Sequence, residues 1–177
     1  RMLIEVRRMV TKIARAMAAM ASVAMLWVLS ACGSDGCTSN TASIPLAQLY
    51  SSSTLKAIAV DSISVYGIGA PGDSMIVRCG RSISQFTMPL RTTVDETKYV
   101  IHYDQKALSD ERNNDTITLR YKTDAMFDSK ECGVVYAFVV ADFYYTRHLI
   151  DSMAMPYNRI TNLTSVAVQL YMRTQQP

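Results

Sequence analysis

Leu29-Ser30-Ala31-Cys32 is the place where residue type and spacing specify a covalent step. Small residues before a cut let a segment enter a peptidase in extended form. A thiol directly after them supplies the nucleophile that a lipid transfer needs. The pattern is that of a lipobox. Its chemistry would join a diacylglycerol to the Cys32 sulfur, cut the chain before Cys32 and acylate the released amine. What precedes it has the three-part form of an export signal. Arg7, Arg8, Lys12 and Arg15 make a positive start, and 16–29 is apolar apart from Ser22. Three other readings stay open: a secretory signal cut after Ala31 without lipid, an uncleaved membrane helix, and a chance match. The helix reading is weakened because the apolar run is shorter than the ~20 residues of a span.

Three further thiols, Cys37, Cys79 and Cys132, would meet an oxidising compartment after export, where disulfides persist. Cys37 with Cys132 is the favoured pair, leaving Cys79 over as a buried thiol; pairings through Cys79 stay open. Closing so long a loop is worth roughly 4 kcal/mol in the chain-entropy picture. No metal site is expected, because His102 and His148 are the only histidines and neither lies at ligand spacing from a cysteine pair. No cofactor is expected either. Gly67-Ile68-Gly69-Ala70-Pro71-Gly72 fits G-x-G-x-x-G, but a dinucleotide site needs a helix to open there. Pro71 before Gly72 sets a tight turn instead. The oxygen-rich run from Asp110 to Asp115 lacks the glycine and terminal glutamate of a calcium loop and reads as a solvated hairpin loop. His148 has Asp151 nearby but no nucleophile in a suitable context, so no catalytic residue is assigned and no enzymatic activity is expected. Phe143-Tyr144-Tyr145 and Tyr157 are the candidate ligand or partner contacts, since aromatics add contact area at low entropic cost.

The net charge of +3 belongs mostly to the leader: of 18 basic and 15 acidic residues, five basic and one acidic precede Cys32. The remainder is close to neutral and has no basic cluster, which argues against nucleic acid as a partner. Buried acyl methylenes contribute about 0.8 kcal/mol each, so two or three chains would hold the protein to a membrane durably. Gly33 and Ser34 follow Cys32 without an adjacent acid, which favours the outer membrane, and the lone Asp35 leans towards its periplasmic face.

Period-two patterning governs the elements that must position these residues. Strands are expected over 55–60, 62–66, 74–79, 82–88, 98–103, 116–122, 133–145 and 163–173. Tyr99, Ile101 and Tyr103 oppose Val100 and His102; Ile117, Leu119 and Tyr121 oppose Thr118, Arg120 and Lys122. Residues 133–145 are apolar on both faces and predict a central buried strand. Turn chemistry lies between the runs at Ala70–Asp73, Asp110–Asp115 and Met155–Asn158. The expected fold is all-β, an antiparallel β-sandwich of immunoglobulin-like or related form, preceded by a cleaved signal helix. The expected organisation is a signal at 1–31, a lipidated tether at 32–53 and a sandwich at 54–177.

Several segments in order resemble a family of small lipoproteins from Bacteroidetes: Cys32–Thr38, Ser43–Leu46 with Tyr50, and Gly67–Ser74. Met88–Arg91, Glu131–Gly133 and Ile160–Asn162 continue the series. That family is a domain of unknown function, so the resemblance implies location and not activity; it also includes Cys37 and Cys132 and leaves out Cys79. The reading that follows is an envelope lipoprotein that binds other proteins, as an accessory subunit of an outer-membrane complex. The alternative is a carbohydrate-binding envelope module.

Overall fold

The computed structural model describes residues 43–71, 75–130, 133–162 and 165–173, without the side chains of 128 and 129. Leu29, Ser30, Ala31, Cys32, Cys37, Cys132 and the expected signal helix lie outside the described residues. Strands β1 (Leu46–Ser51), β2 (Ile63–Gly67), β3 (Met75–Gly80), β4 (Gln85–Thr87) and β5 (Glu96–Tyr103) come first. A short 3-10 turn (Glu111–Asn113) leads into β6 (Asp115–Ser129) and β7 (Gly133–Tyr145). Strands β8 (Ile150–Ala154), β9 (Arg159–Ile160) and β10 (Val166–Met172) follow. One sheet has the order β4-β1-β10-β8 and the other β3-β2-β5-β6-β7-β9. The two sheets pack together as an all-β sandwich. Neighbours are antiparallel except β1 and β10, which run parallel.

The alternation read from sequence places the core. Tyr99, Ile101 and Tyr103 of β5 and Ile117, Leu119 and Tyr121 of β6 point inward and are buried. Ala47 and Leu49 of β1 and Val168 and Leu170 of β10 meet them from the other sheet. A pleated strand sends alternate side chains to opposite faces, so these four strands define the two inner surfaces.

Several expectations need correction. The tether expected up to residue 53 contains β1, an interior strand of the small sheet. Its Ser, Thr and Gln content hid a period-two pair, Ala47 and Leu49, that is buried. Residues 55–60 form only the isolated bridges Tyr50↔Ala57 and Val60↔Ile83 in place of a strand. Residues 133–145 are not central: β7 has only the two-residue β9 beyond it, and Val134 and Tyr136 are exposed. Phe138 and Val140 are buried on one face and Val135 and Ala137 on the other, so the apolar character of both faces reflects burial along part of the strand only. Cys79 is an exposed free thiol, not a buried one. It sits on edge strand β3 at an irregular stretch of the β2–β3 ladder. There its N–H donates to Ser64 Oγ (3.0 Å), and that hydroxyl donates to Asp104 Oδ2 (2.9 Å).

Candidate functional site

A cavity of about 170 Å³ opens where the β2–β3 turn meets the segment after β4. Ile68, Pro71, Ile76, Leu90 and Tyr99 give it apolar walls, and Arg91 stands at its rim. The turn side is set by Gly69, whose φ of +71° is strained for residues with a Cβ. Ala70 N–H donates to the Gly67 carbonyl (3.2 Å), closing a four-residue turn with glycine at its third position. Among the described residues of the G-x-G-x-x-G run, Gly67 to Ala70 form a turn after β2, Pro71 follows in 3-10 conformation, and β3 begins at Met75.

The opposite wall is held by tyrosines from the core. Tyr99 Oη donates to the Pro89 carbonyl (2.5 Å). Tyr121 Oη accepts from Arg91 N–H (3.1 Å) and donates to the Arg91 carbonyl (2.9 Å). Thr97 Oγ1 lies 2.7 Å from the same hydroxyl. Buried hydroxyls need such partners, and here the partners are the backbone of a loop with no ladder of its own. Burial, and then the nearby Tyr121, push the Tyr99 phenol well above its ordinary range, so it stays a neutral donor. The Arg91 guanidinium reaches only the Gly69 carbonyl (3.4 Å) and pairs with no carboxylate among the described residues.

Strand alternation divides the predicted aromatic contacts. Phe143 and Tyr145 pack against the core. Tyr144 is 52% exposed on the outer face, with the Arg120 guanidinium carbon 5.2 Å from its ring centroid. Tyr157 is 67% exposed in the β8–β9 loop. Beside Tyr144, Asp95, Glu96, Arg120 and Asp142 line an open groove of about 320 Å³. Glu96 accepts from Arg120 Nε (2.8 Å) and pairs with Lys98 (3.2 Å). The Arg120 bond first, then Lys98, holds its carboxyl below the ordinary range. His148 is exposed, and its neighbour Asp151 is engaged with Arg147 and Arg173.

Two features escaped sequence reasoning. The first is a doubled Gln-Leu-Tyr at 48–50 and 169–171, which the parallel β1–β10 register brings side by side. Tyr50 and Tyr171 stack (centroids 5.3 Å apart), and each hydroxyl donates to the glutamine two residues before it. The repeated tripeptide was the available signal. The second is Asp115, read as part of a solvated loop but fully buried. Its carboxylate accepts from the N–H groups of His148, Leu149 and Ile150 and from the Tyr103 and Thr146 hydroxyls. No sequence signal separated it from its exposed neighbours Asp110 and Glu111.

A family model described as a family of unknown function, DUF6452, matches residues 62–172. That span takes in both walls of the cavity, the groove and Asp115. No curated protein and no solved structure matches the chain.

Proposed function

Since the chain belongs to the DUF6452 family, whose function is unknown, its own residues must carry the reading; we propose a lipid-anchored envelope protein that acts by binding another protein. Cys32 is the proposed lipid site, the outer membrane is the proposed location with its periplasmic face favoured, and Cys37–Cys132 is the proposed disulfide. The likeness to small Bacteroidetes lipoproteins belongs to the same proposal. One observation supports the binding role most: an apolar cavity lined also by the Arg91 guanidinium, which pairs with no carboxylate among the described residues. It has the size and chemistry for one aliphatic side chain of a partner with a carboxylate beside it. Apolar pockets with a few placed polar groups are where proteins hold small apolar groups.

A photo-crosslinking residue at Ile68, in the native membrane, should join the protein to one envelope partner. Leu90→Arg should abolish that adduct while the strand spectrum stays intact. An undiminished adduct in Leu90→Arg would remove the cavity from the reading. Separately, labelled palmitate should enter the wild type and not Cys32→Ser.

The carbohydrate reading has one supporting observation, exposed Tyr144 beside a groove with three carboxylates. Glycan-array binding that Tyr144→Ala abolishes would favour it, and no binding to any glycan would retire it.

A further inference from the structure

The inward face of the β6–β7 pair continues past the end of the small sheet. On this face Tyr121 faces Val140, then Thr123 faces Phe138, Ala125 faces Tyr136, and Phe127 faces Val134. Exposure rises along these rungs. Tyr121 and Phe138 are 2% and 3% exposed, whereas Tyr136 is 43%, Val134 54% and Phe127 70% exposed. The core stripe therefore runs on into exposed surface, with no strand of the small sheet above it among the described residues. The other face of the same hairpin is covered: Val135 and Ala137 are buried, and Arg159 clasps Asp124 (2.8 Å).

The same end receives the chain from its amino-terminal side. Ser43 Oγ donates to the Tyr136 carbonyl, and β1 then runs away from the hairpin. Ser43 is eleven residues after Cys32. Even fully extended, that stretch spans at most about 40 Å, so an anchored Cys32 keeps this end the one tied to the bilayer. We propose that Phe127, Val134 and Tyr136 form a membrane-facing wedge that seats the domain on the lipid surface. This rests on the lipid-anchor reading above.

Size separates a lipid surface from a protein as the occupant. The three side chains expose on the order of 300 Å². A stable protein interface buries roughly 800 Å² on each partner. The wedge is too small to recruit a free partner, but it can orient a body that is already tethered. A bilayer asks for no shape complementarity, and tyrosine suits its headgroup level, with an apolar ring and a polar tip. Exposed Lys130, just past the end of β6, fits an anionic headgroup region.

The test uses the full chain, processed and lipidated, in vesicles of phosphatidylethanolamine and phosphatidylglycerol with or without brominated acyl chains. The single tryptophan of the sequence, Trp27, leaves with the segment before Cys32, so an introduced tryptophan reports alone. Phe127→Trp should lose at least about half its emission in brominated vesicles. Leu55→Trp, 67% exposed beyond the far end of β1, should lose none. Val134→Trp should follow Phe127→Trp, which guards against a fault peculiar to one position. A mass spectrum of the same sample separates the two claims. A lipidated Cys32 with equal emission in both vesicle types overturns the wedge alone, and an unmodified Cys32 overturns the anchor and the wedge together. Equal quenching at both ends overturns the assignment to the hairpin. A blue-shifted but unquenched Phe127→Trp that crosslinks to another copy assigns the face to self-association and overturns the lipid surface.

Discussion

The β6–β7 pair is built on opposite principles at its two ends. Where β6 begins, Asp115 is fully buried, and its two oxygens accept five hydrogen bonds that gather residues 146–150 and Tyr103. Where the pair ends, Phe127 and Val134 are exposed on the same apolar face. Polar satisfaction inside and apolar surface outside are the costly arrangements, and this molecule uses one at each end of the same ladder. The first fixes the fold. The second does nothing for the fold and so is free to meet something else.

The largest effect that would sharpen this contrast is at Asp115. Asp115→Ala leaves three amides and two hydroxyls without their acceptor in the interior, and the loss should be about 3–5 kcal/mol in urea unfolding. Asp115→Asn should be milder but still severe, because its NH2 group meets donors. Phe127→Ser should change stability by less than about 0.5 kcal/mol, as for a surface side chain. Comparable losses at the two ends would remove the distinction.

Next in size is the alkaline limit. Burial first, and then Asp115, push the Tyr103 phenol far above its ordinary value of 10. The folded state thus favours the neutral form. The stability this contributes is whole below pH 10, and falls as pH rises beyond it because only the unfolded chain can ionise. Circular dichroism should show unfolding above that pH, and Tyr103→Phe should move the midpoint upward. Tyr103→Phe should also lose about 1 kcal/mol at neutral pH, through one missing bond to Asp115. An unchanged alkaline midpoint would mean that the Asp115 end does not set this limit.

Much of the sandwich was legible because its inner strands obey period two: β5 was placed within two residues and the start of β6 within one, though β6 runs seven residues beyond its expected end, and the alternating sets that include the buried side chains were separated. The misses share one physical cause. Patterning reports which side chains avoid water, but not which neighbours a strand will find. Ala47 and Leu49 looked like a tether because each alone is a weak signal; β10, more than a hundred residues later, turns them into core. Residues 133–145 looked central because both faces are apolar, but one of those faces is buried at Phe138 and Val140 and exposed at Val134 and Tyr136. The cavity was half visible. The glycine turn and Pro89–Arg91 were each noticed as segments, but their convergence depends on Tyr99 and Tyr121 reaching across to the same loop. Asp115 could not be told from Asp110 by composition, since burial is a property of the partner turn and not of the residue.

The smallest expected effect lies between the two ends, on the outer face. Arg120, and after it Lys98, lower the Glu96 carboxyl below 4.5. A carboxyl lowered on folding contributes stability that is present above the unfolded value of 4.5 and is lost as pH falls through the lower, folded value. The group is fully exposed, so water and salt screen most of that contribution. Glu96→Gln should therefore shift the urea midpoint only slightly at neutral pH. The difference from wild type should shrink as pH falls below the ordinary carboxylate range, and also in roughly 1 M salt. The variant also frees the Arg120 guanidinium over Tyr144 without touching Asp115 or the hairpin. A shift as large as that of Asp115→Asn would mean that the middle of the sheet, and not the buried carboxylate at its end, holds the two layers together.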